Sequence, residues 1–533
     1  MFLSWWNQTE RKEKFIQILT FFLFFGASLD LKGVLFGTPM TVAGLYIIHD
    51  CIKRKSLAGF CLPARYWLGL AVFMGTVVLA SLILGDGPNI LAAFQNVYRC
   101  LPFIVIIYLG KQADIKYAAL LGAMASVLVS SANMLYLTQY LGLKGRVGAF
   151  GKNPNYHASL LAGVLPVLFT AFQDSRIRAL KKIYFLQGIV ALLGLWSLWK
   201  TGSRGAMLGL FGGGILMYGV ICFYRKRFKQ FLNGFTICVA VAAVLVLAVN
   251  RGGSLETIEK ARLRMLRSSY AMWQDHKLAG VGLANWQKEY NTTYLLKDEI
   301  EAEALQRYQA WKKAAEQRAA AARKAAAEKK AAAQKAEAAK KAAAAKKAAE
   351  QKKAAPQKAV EQKATAPKPK PQLTPAQKAA AARKAAAAKQ AAAQKAEAAK
   401  KAAAEREAKQ ITAWKQAAIK HEAEISNMPH NVPAWFFSAT GSLGGAGYVF
   451  FVCWYIWLFC KELKRSDVTW IDAVGFWTFL TITIHGMVDA GIIYKAFARL
   501  LYLVMSLSIS YYYLPDRQRF PDEGDCIESN GQA

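Results

Sequence analysis

A histidine–asparagine pair lies where a polar stretch of the sequence gives way to an apolar one. His430 and Asn431 are followed, after nine residues, by Gly441 and Gly444 on that apolar segment. This spacing predicts an imidazole at a membrane–water boundary, the depth at which a lipid-linked substrate presents its head. The glycines allow a neighbouring helix or a lipid chain to approach closely. A histidine at such a boundary can also be a structural hydrogen-bonding group, so the sequence is consistent with either a catalytic or a structural role for His430.

Arginines supply a second kind of chemistry. Arg204 stands between glycines that leave room for a phosphate, which a guanidinium holds through two parallel hydrogen bonds. Arg262 and Arg264 alternate with apolar residues and precede Trp273 and Trp286, a pattern typical of a helix lying in the membrane interface. These arginines would bind a diphosphate, or they would anchor the chain to anionic lipid headgroups.

Three more polar residues complete the candidate set. Arg146 opens a Gly- and Asn-containing stretch that ends at Asn155, and His485 and Asp489 lie near the end of a late apolar segment. An ionisable residue inside a membrane span costs enough free energy that a functional role is the default hypothesis. Asp489 would pair with an arginine or orient His430, and the sequence leaves both alternatives open.

Several kinds of site are missing from the sequence. It contains no Gly-x-x-x-x-Gly-Lys-Ser/Thr phosphate loop, no Asp-x-Asp motif and no Cys/His cluster at metal-ligand spacing. A nucleotide-driven pump and a metal-dependent transferase that uses sugar nucleotides are therefore disfavoured. We expect no metal and no cofactor, so the energy for a transfer would reside in the donor, as in a lipid diphosphate-linked glycan.

Apolar helices must position these residues. Apolar side chains make up 54% of the 533 residues and gather in runs of about 17–25, long enough to cross a bilayer. The sequence predicts an all-α polytopic membrane protein with about twelve transmembrane helices. The predicted spans are 15–30, 33–51, 66–84, 90–109, 116–140, 156–172, 183–200, 204–224, 231–249, 432–460, 469–488 and 496–514.

Basic residues predict the orientation of these spans. Lys and Arg cluster before the first span and after every even-numbered one, so both termini are expected in the cytoplasm. The segment between spans 9 and 10 then forms a large outer loop, periplasmic in a Gram-negative inner membrane. The predicted divisions are spans 1–9 over residues 1–249, the loop over 250–430, spans 10–12 over 431–515 and a cytoplasmic tail over 516–533.

A low-complexity insert occupies residues 311–420 of this loop. Residues 319–344 recur at 379–404 with two changes, and the insert holds 29 Lys and Arg against 8 Glu, which explains most of the net charge of +35 and argues against a nucleic-acid partner. Its Ala, Lys, Gln and Glu composition favours two long solvated helices, while prolines between 356 and 375 predict a non-helical linker. The expected form is a helical hairpin, either a tolerated insertion or a cationic spacer whose partner the sequence does not identify.

Taken in order, these motifs resemble the O-antigen ligase and polymerase superfamily. The similarity rests on Ser203-Arg204-Gly205, on Arg262 before Gly280-Val281-Gly282, and on the complete His430-Asn431 motif with its two glycines. It implies transfer of a polysaccharide from undecaprenyl diphosphate to lipid A-core. His430 would act as general base, Arg204, Arg262 and Arg264 would bind the diphosphate, and Asn431, Arg146, Asp489 and His485 would support them.

The insert is the main departure from the family, in which this loop is usually short. Its composition resembles the Ala/Lys-rich periplasmic domain of the Tol-system energy transducer. Within the superfamily, a protein O-oligosaccharyltransferase and an O-antigen polymerase are alternatives. A flippase or a non-enzymatic tether is the alternative from another class. In such a protein the insert would carry the function and His430 would have a structural role.

Overall fold

The computed structural model describes residues 10–31, 33–232, 235–236, 255–352, 375–425, 428–465, 468–489 and 491–513. All regular secondary structure within these ranges is helical. The chain divides into two compact units: Met1–Leu295 with Ser426–Ala533, and Leu296–Ile425.

The N-terminal part of the first unit follows the predicted apolar runs. Short 3₁₀ turns occur at Ala58–Phe60 and Ala149–Gly151, and a π-helical turn at Tyr136–Tyr140. Its helices are α1 (Arg11–Leu29), α2 (Val34–Arg54), α3 (Ala64–Leu84), α4 (Gly87–Tyr98), α5 (Leu101–Gly110), α6 (Lys116–Leu135), α7 (Pro154–Ala171), α8 (Ser175–Ala179), α9 (Lys181–Thr201) and α10 (Arg204–Tyr224).

The remaining helices belong to the long loop and to the C-terminal part of the chain. A π-helical turn at Tyr290–Tyr294 and a 3₁₀ turn at Gly491–Ile493 accompany them. These helices are α11 (Leu255–Asp275), α12 (Trp286–Glu289), α13 (Lys297–Lys352), α14 (Pro375–Ile425), α15 (Val432–Leu463), α16 (Trp470–Gly486) and α17 (Lys495–Tyr513).

The chain has the character of a multi-pass membrane protein. In the part that the structure describes, seven helical segments are long and apolar enough to cross a bilayer: α2, α3, the run Gly87–Gly110, the run Lys116–Tyr140, α9, α10 and α15. Helices α1, α7, α16 and α17 also occur at predicted spans, but they fall outside this set. The predicted span 231–249 lies almost entirely outside the described residues, and the number twelve stays a prediction.

Glycines bring α10 and α16 into direct backbone contact. A Cβ atom on Gly209 would lie 2.5 Å from the carbonyl oxygen of Thr481, and one on Gly213 would lie 2.9 Å from the amide nitrogen of Thr481. Closer to the start of α10, a Cβ on Gly205 would lie 2.7 Å from Val488. Small residues permit this approach between apolar helices. These three glycines therefore place the N-terminus of α10 beside the C-terminal end of α16.

Helix α15 is interrupted at Gly441, which has φ 61° and ψ −163°. The sequence predicted a span with glycines for close packing, and the structure shows that the first of them breaks the helix. At Gly444, an added Cβ would lie 2.0 Å from the hydroxyl oxygen of Thr440, so this glycine leaves space for a side chain just before the break. Helix interruptions of this kind need hydrogen-bond partners from elsewhere in the protein.

The second unit consists of α13 and α14, which pack antiparallel. Tyr308 donates a hydrogen bond to Gln410 at 3.1 Å, and Lys415 forms an ion pair with Glu301 at 3.0 Å. Trp414 contacts Tyr308, with ring centroids 5.7 Å apart. Beyond these contacts, most side chains of both helices are exposed. The prolines at 356–371 lie outside the described residues, whereas Pro375 is the first residue of α14, where its missing amide costs nothing.

Candidate functional site

Asn431 caps the N-terminus of α15, and His430 directly precedes it. The Asn431 side chain accepts a hydrogen bond from the Ala434 amide at 2.8 Å and donates one to the Met487 carbonyl at 2.8 Å. His430 adopts the left-handed conformation, with φ 48°. The side chain that caps the helix therefore also fixes it to the turn after α16, and His430 is held at that junction.

Asp489 lies between two histidines. One of its carboxylate oxygens is 2.9 Å from Nδ1 of His430, and the other is 3.8 Å from Nε2 of His485. Asp489 and His485 are buried, whereas 23% of the His430 side chain is accessible to solvent. A carboxylate on Nδ1 holds the ring in the tautomer that leaves Nε2 as proton acceptor. The contact with His430 fits one of the two roles that the sequence left open for Asp489, and the pairing with an arginine stays a prediction.

His485 has a second neighbour on α7. The hydroxyl of Ser159 lies 3.2 Å from Nδ1 of His485. One polar chain therefore runs from Ser159 on α7 through His485 on α16 to Asp489, in the turn after α16, and to His430, just before α15. Its innermost members are buried, so the exposed imidazole is backed by groups that restrain its carboxylate partner.

Arg204 and Arg146 approach this group from the junction of α9 and α10. Arg204 is the first residue of α10, and its neighbour Gly205 packs on His485, where an added Cβ would lie 3.1 Å from the ring. Arg146 donates from Nε to the Thr201 carbonyl at 2.9 Å and also hydrogen-bonds Asn155. These bonds place the guanidinium of Arg146 beside the start of α10.

The charges of Arg204, Arg262 and Asp489 act on Arg146. Although much of the Arg146 side chain is exposed, partial burial of its guanidinium is the largest cause that lowers its pKa. The positive charges of Arg262 and Arg204 lower this pKa further, and Asp489 opposes them. Among the described residues, the charged groups that act on Arg146 are two arginines and one carboxylate, so this region attracts an anion.

Arg262 and Arg264 have different surroundings on α11. Residues two apart on a helix point to different faces. Arg262 is half-buried and forms no hydrogen bond or ion pair with other described residues, whereas Arg264 is buried. Arg264 is absent from the charged neighbours of Arg146. The structure therefore joins two of the three predicted diphosphate ligands, Arg204 and Arg262, to the His430 region.

The loop after α11 supplies the partners that the break in α15 requires. The amides of Val281 and Gly282 donate to the carbonyls of Ser438 and Ala439, each at 2.9 Å. On the far side of the break, the amides of Ser442 and Leu443 donate to the carbonyls of residues 277 and 278 at 2.7 and 3.3 Å. The loop thereby satisfies backbone groups that the interrupted helix leaves open.

The two tryptophans of this region bind the interrupted helix on either side of Gly441. Trp273 donates its indole N–H to the Ser442 hydroxyl at 3.0 Å, and Trp286 donates to the Ser438 hydroxyl at 2.8 Å. Trp286 is fully buried. The sequence placed both residues in the membrane interface. The indole of Trp286 is enclosed by protein and its N–H has a protein partner, and the depth of this segment in a membrane stays a prediction.

Sequence reasoning also missed a second anchor for the loop. Asn89 accepts a hydrogen bond from the Ala284 amide at 2.7 Å, and Asp86 accepts one from Asn285 at 3.0 Å. Residues 85–89 connect the predicted spans 66–84 and 90–109. Two features of the sequence could have indicated this contact. The connection contains two hydrogen-bonding side chains, Asp86 and Asn89. The loop contains Gly282, at which an added Cβ would lie 2.2 Å from Asn89.

Residues 189–312 match a family model described as O-antigen ligase. The match supports the O-antigen ligase and polymerase superfamily. It also supports an enzymatic, glycosyltransferase-like role in general. The matched segment contains Arg204, Arg262, Arg264 and the loop at Gly280–Gly282, and it ends shortly before the first copy of the duplication. No curated protein matches the chain.

Proposed function

We propose that this protein is an O-antigen ligase that transfers a polysaccharide from undecaprenyl diphosphate to a sugar hydroxyl of lipid A-core. One observation carries the proposal: the His430–Asp489 pair stands beside Arg146, Arg204 and Arg262. The family match, which contains Arg204 and Arg262 but not Arg146, also supports the proposal. A proton acceptor next to a positively charged anion site is the arrangement that glycosyl transfer from a diphosphate needs.

In the proposed reaction, Nε2 of His430 takes the proton of the acceptor hydroxyl. The resulting oxygen nucleophile attacks the anomeric carbon of the donor glycan, and the bond from that carbon to the diphosphate oxygen breaks. Asp489 stabilises the imidazolium that forms, because its carboxylate lies 2.9 Å from Nδ1. The proton of the acceptor leaves His430 for solvent or for the departing diphosphate, which completes the turnover.

The arginines would stabilise the negative charge that grows on the leaving diphosphate. Arg204 lies at the N-terminus of α10, where the helix dipole also favours an anion. Arg262 and Arg146 add two further positive charges near it. We propose that these groups supply the positive charge that a metal ion supplies in other transferases, so that the reaction needs neither metal nor cofactor.

The decisive experiment is a transfer assay with the purified full-length protein. Undecaprenyl diphosphate-linked polysaccharide is supplied with lipid A-core, and the product is followed as a ladder on a gel. His430→Ala should abolish the ladder, whereas His421→Ala, which removes an exposed histidine of α14, should leave it unchanged. A normal ladder from a well-folded His430→Ala protein would rule out the mechanism and return His430 to a structural role.

The acceptor in the same assay distinguishes the alternatives. A protein O-oligosaccharyltransferase would glycosylate Ser or Thr of a protein, and a polymerase would extend a second donor molecule instead of lipid A-core. A tether or flippase would give no covalent product with any acceptor. Labelled product on lipid A-core alone is the result expected for a ligase.

We further propose an inner-membrane location with the site on the periplasmic face. A reporter that is active only in the periplasm should be active when fused after Arg251 and silent when fused after Lys229 or Lys464. Activity after Lys229 would invert the orientation and remove His430 from the proposed face.

A further inference from the structure

A cavity of about 380 Å³ lies beside α15, the helix that begins just after His430 and Asn431, but none of the three site arginines lines it. This volume falls in the range of small-molecule sites. Its lining comes from α4, from the loop after α11, from the first turns of α15 and from the turn before α17. The lining residues are Pro88, Leu91, Ala92, Gln95, Asn96, Arg99, Leu283, Ala284, Trp435, Phe436 and Ile493.

The lining is amphipathic. Leu91, Leu283, Trp435 and Phe436 give it an extensive apolar wall, whereas Gln95, Asn96 and Arg99 are polar. A cavity with an apolar wall and one cationic group matches a molecule with a hydrocarbon part and a single anionic head. This is the chemistry of a phosphate-bearing lipid.

Arg99 is held in place without neutralisation. One of its terminal nitrogens, Nη1, donates to the Asn96 side chain at 2.9 Å and to the Ile493 carbonyl at 2.8 Å. Across the described ranges, no carboxylate lies within ion-pair distance of Arg99. The residue falls where the predicted span 90–109 is interrupted, since α4 ends at Tyr98 and α5 begins at Leu101. A cation at this depth is costly unless it meets an anion.

The position of the cavity relates it to the proposed reaction. Trp435 lies about one turn along α15 from Asn431, and Ile493 follows Asp489 by four residues. The catalytic pair thus lies next to both the cavity and the arginine group of Arg146, Arg204 and Arg262. A transferase must bring two substrates to one base, and this arrangement offers a separate place for each.

We propose that this cavity binds the acceptor, a phosphate-bearing glycolipid, with Arg99 on a lipid phosphate and the acyl part against Leu91 and Trp435. The inference rests on the proposed transfer function, because it assigns the donor diphosphate to the arginine group. Nη2 and Nε of Arg99, which form no hydrogen bond with the described residues, would hold the phosphate.

Kinetics of the full-length enzyme test the assignment. Arg99→Gln should raise the KM for phosphorylated lipid A-core roughly ten- to hundredfold, the usual effect of losing a charged hydrogen bond, and Arg99→Lys should raise it less. The KM for the donor and kcat should not change. With dephosphorylated lipid A-core as acceptor, wild type and Arg99→Gln should have equal KM values. The control is Arg178→Gln, since Arg178 is an exposed residue of α8 that neither lines the cavity nor acts on Arg99.

A binding measurement separates this inference from the transfer reaction itself. Native mass spectrometry of the full-length protein in detergent is carried out with lipid A-core, with phosphatidylglycerol and with inorganic phosphate. Retention of lipid A-core that Arg99→Gln reduces supports the acceptor site even if no transfer is detected. Equal retention by the variant would overturn the proposal. An equal, Arg99-dependent retention of phosphatidylglycerol or of phosphate alone would also overturn it, by showing a general anion site.

Discussion

Gly441→Ala tests whether the break in α15 holds the site together. An alanine Cβ at this position would lie 2.2 Å from the carbonyl oxygen of Leu278, in a backbone conformation that only glycine adopts readily. Relieving the overlap requires the loop at 277–282 to move away from α15. The four backbone hydrogen bonds between them are then lost, at about 1 kcal/mol each. With about 1 kcal/mol or more of backbone strain, the expected loss is about 5 kcal/mol.

The matched control is Gly188→Ala on α9. No atom lies within 4 Å of an added Cβ there, so the change should alter stability by about 1 kcal/mol or less. The assay is thermal unfolding of the purified protein in detergent, combined with the transfer reaction. Gly441→Ala should lower the melting temperature by roughly 5–10 °C and reduce transfer, because α11 carries Arg262. If both variants had the melting temperature and the activity of wild type, the loop at 277–282 would not be what positions the site.

The remaining predictions address the site and the insert. Asp489→Asn should lower kcat about hundredfold or more because a neutral amide stabilises the imidazolium less, whereas Asp275→Asn, at the C-terminal end of α11, should have little effect on kcat. Arg204→Lys and Arg262→Lys should each reduce transfer and alanine should reduce it more; equal activity for all variants would indicate lipid anchoring. Replacing residues 311–420 with a short Gly/Ser linker should preserve turnover and remove, at most, a salt-sensitive part of the apparent substrate affinity. Inactivity of that protein in a folded state would show that the insert shapes the site.

Apolar run length and helix propensity were sufficient to predict most helix positions. The spans at 66–84, 116–140 and 204–224 coincide closely with helical segments, and the Ala/Lys tract is helical on both sides of its proline-rich part. These are local properties of the chain. The interruption at Arg99 was missed because apolar residues on both sides give one continuous run, in which a single arginine does not signal a break.

The candidate site depended on contacts that local patterns do not encode. The spacing of the motifs brought His430, Arg204 and Arg262 to attention as separate positions. Their proximity depends on pairings between distant residues, such as the bond from Asn431 to the Met487 carbonyl. The role of Gly441 shows the same limit. The sequence around Gly441 predicts that another segment packs closely against it. Whether that segment is a helix, or a loop that replaces hydrogen bonds of the interrupted helix, depends on residues about 160 positions earlier in the chain.

The antiparallel pairing of α13 and α14 has an entropic consequence for the chain. The loop at Gly282 bonds to the backbone near Ser438, and the insert lengthens the connection between them from about 50 to about 160 residues. If the added residues were a flexible coil, closing this longer connection would cost about 1 kcal/mol more free energy. Contacts such as Glu301 with Lys415 instead hold the two ends of the second unit near each other. The closure cost therefore approaches that of a short connection. Because α13 and α14 pair at these ends, a fluorescent protein or an affinity tag inserted between the two helices would not lengthen the connection.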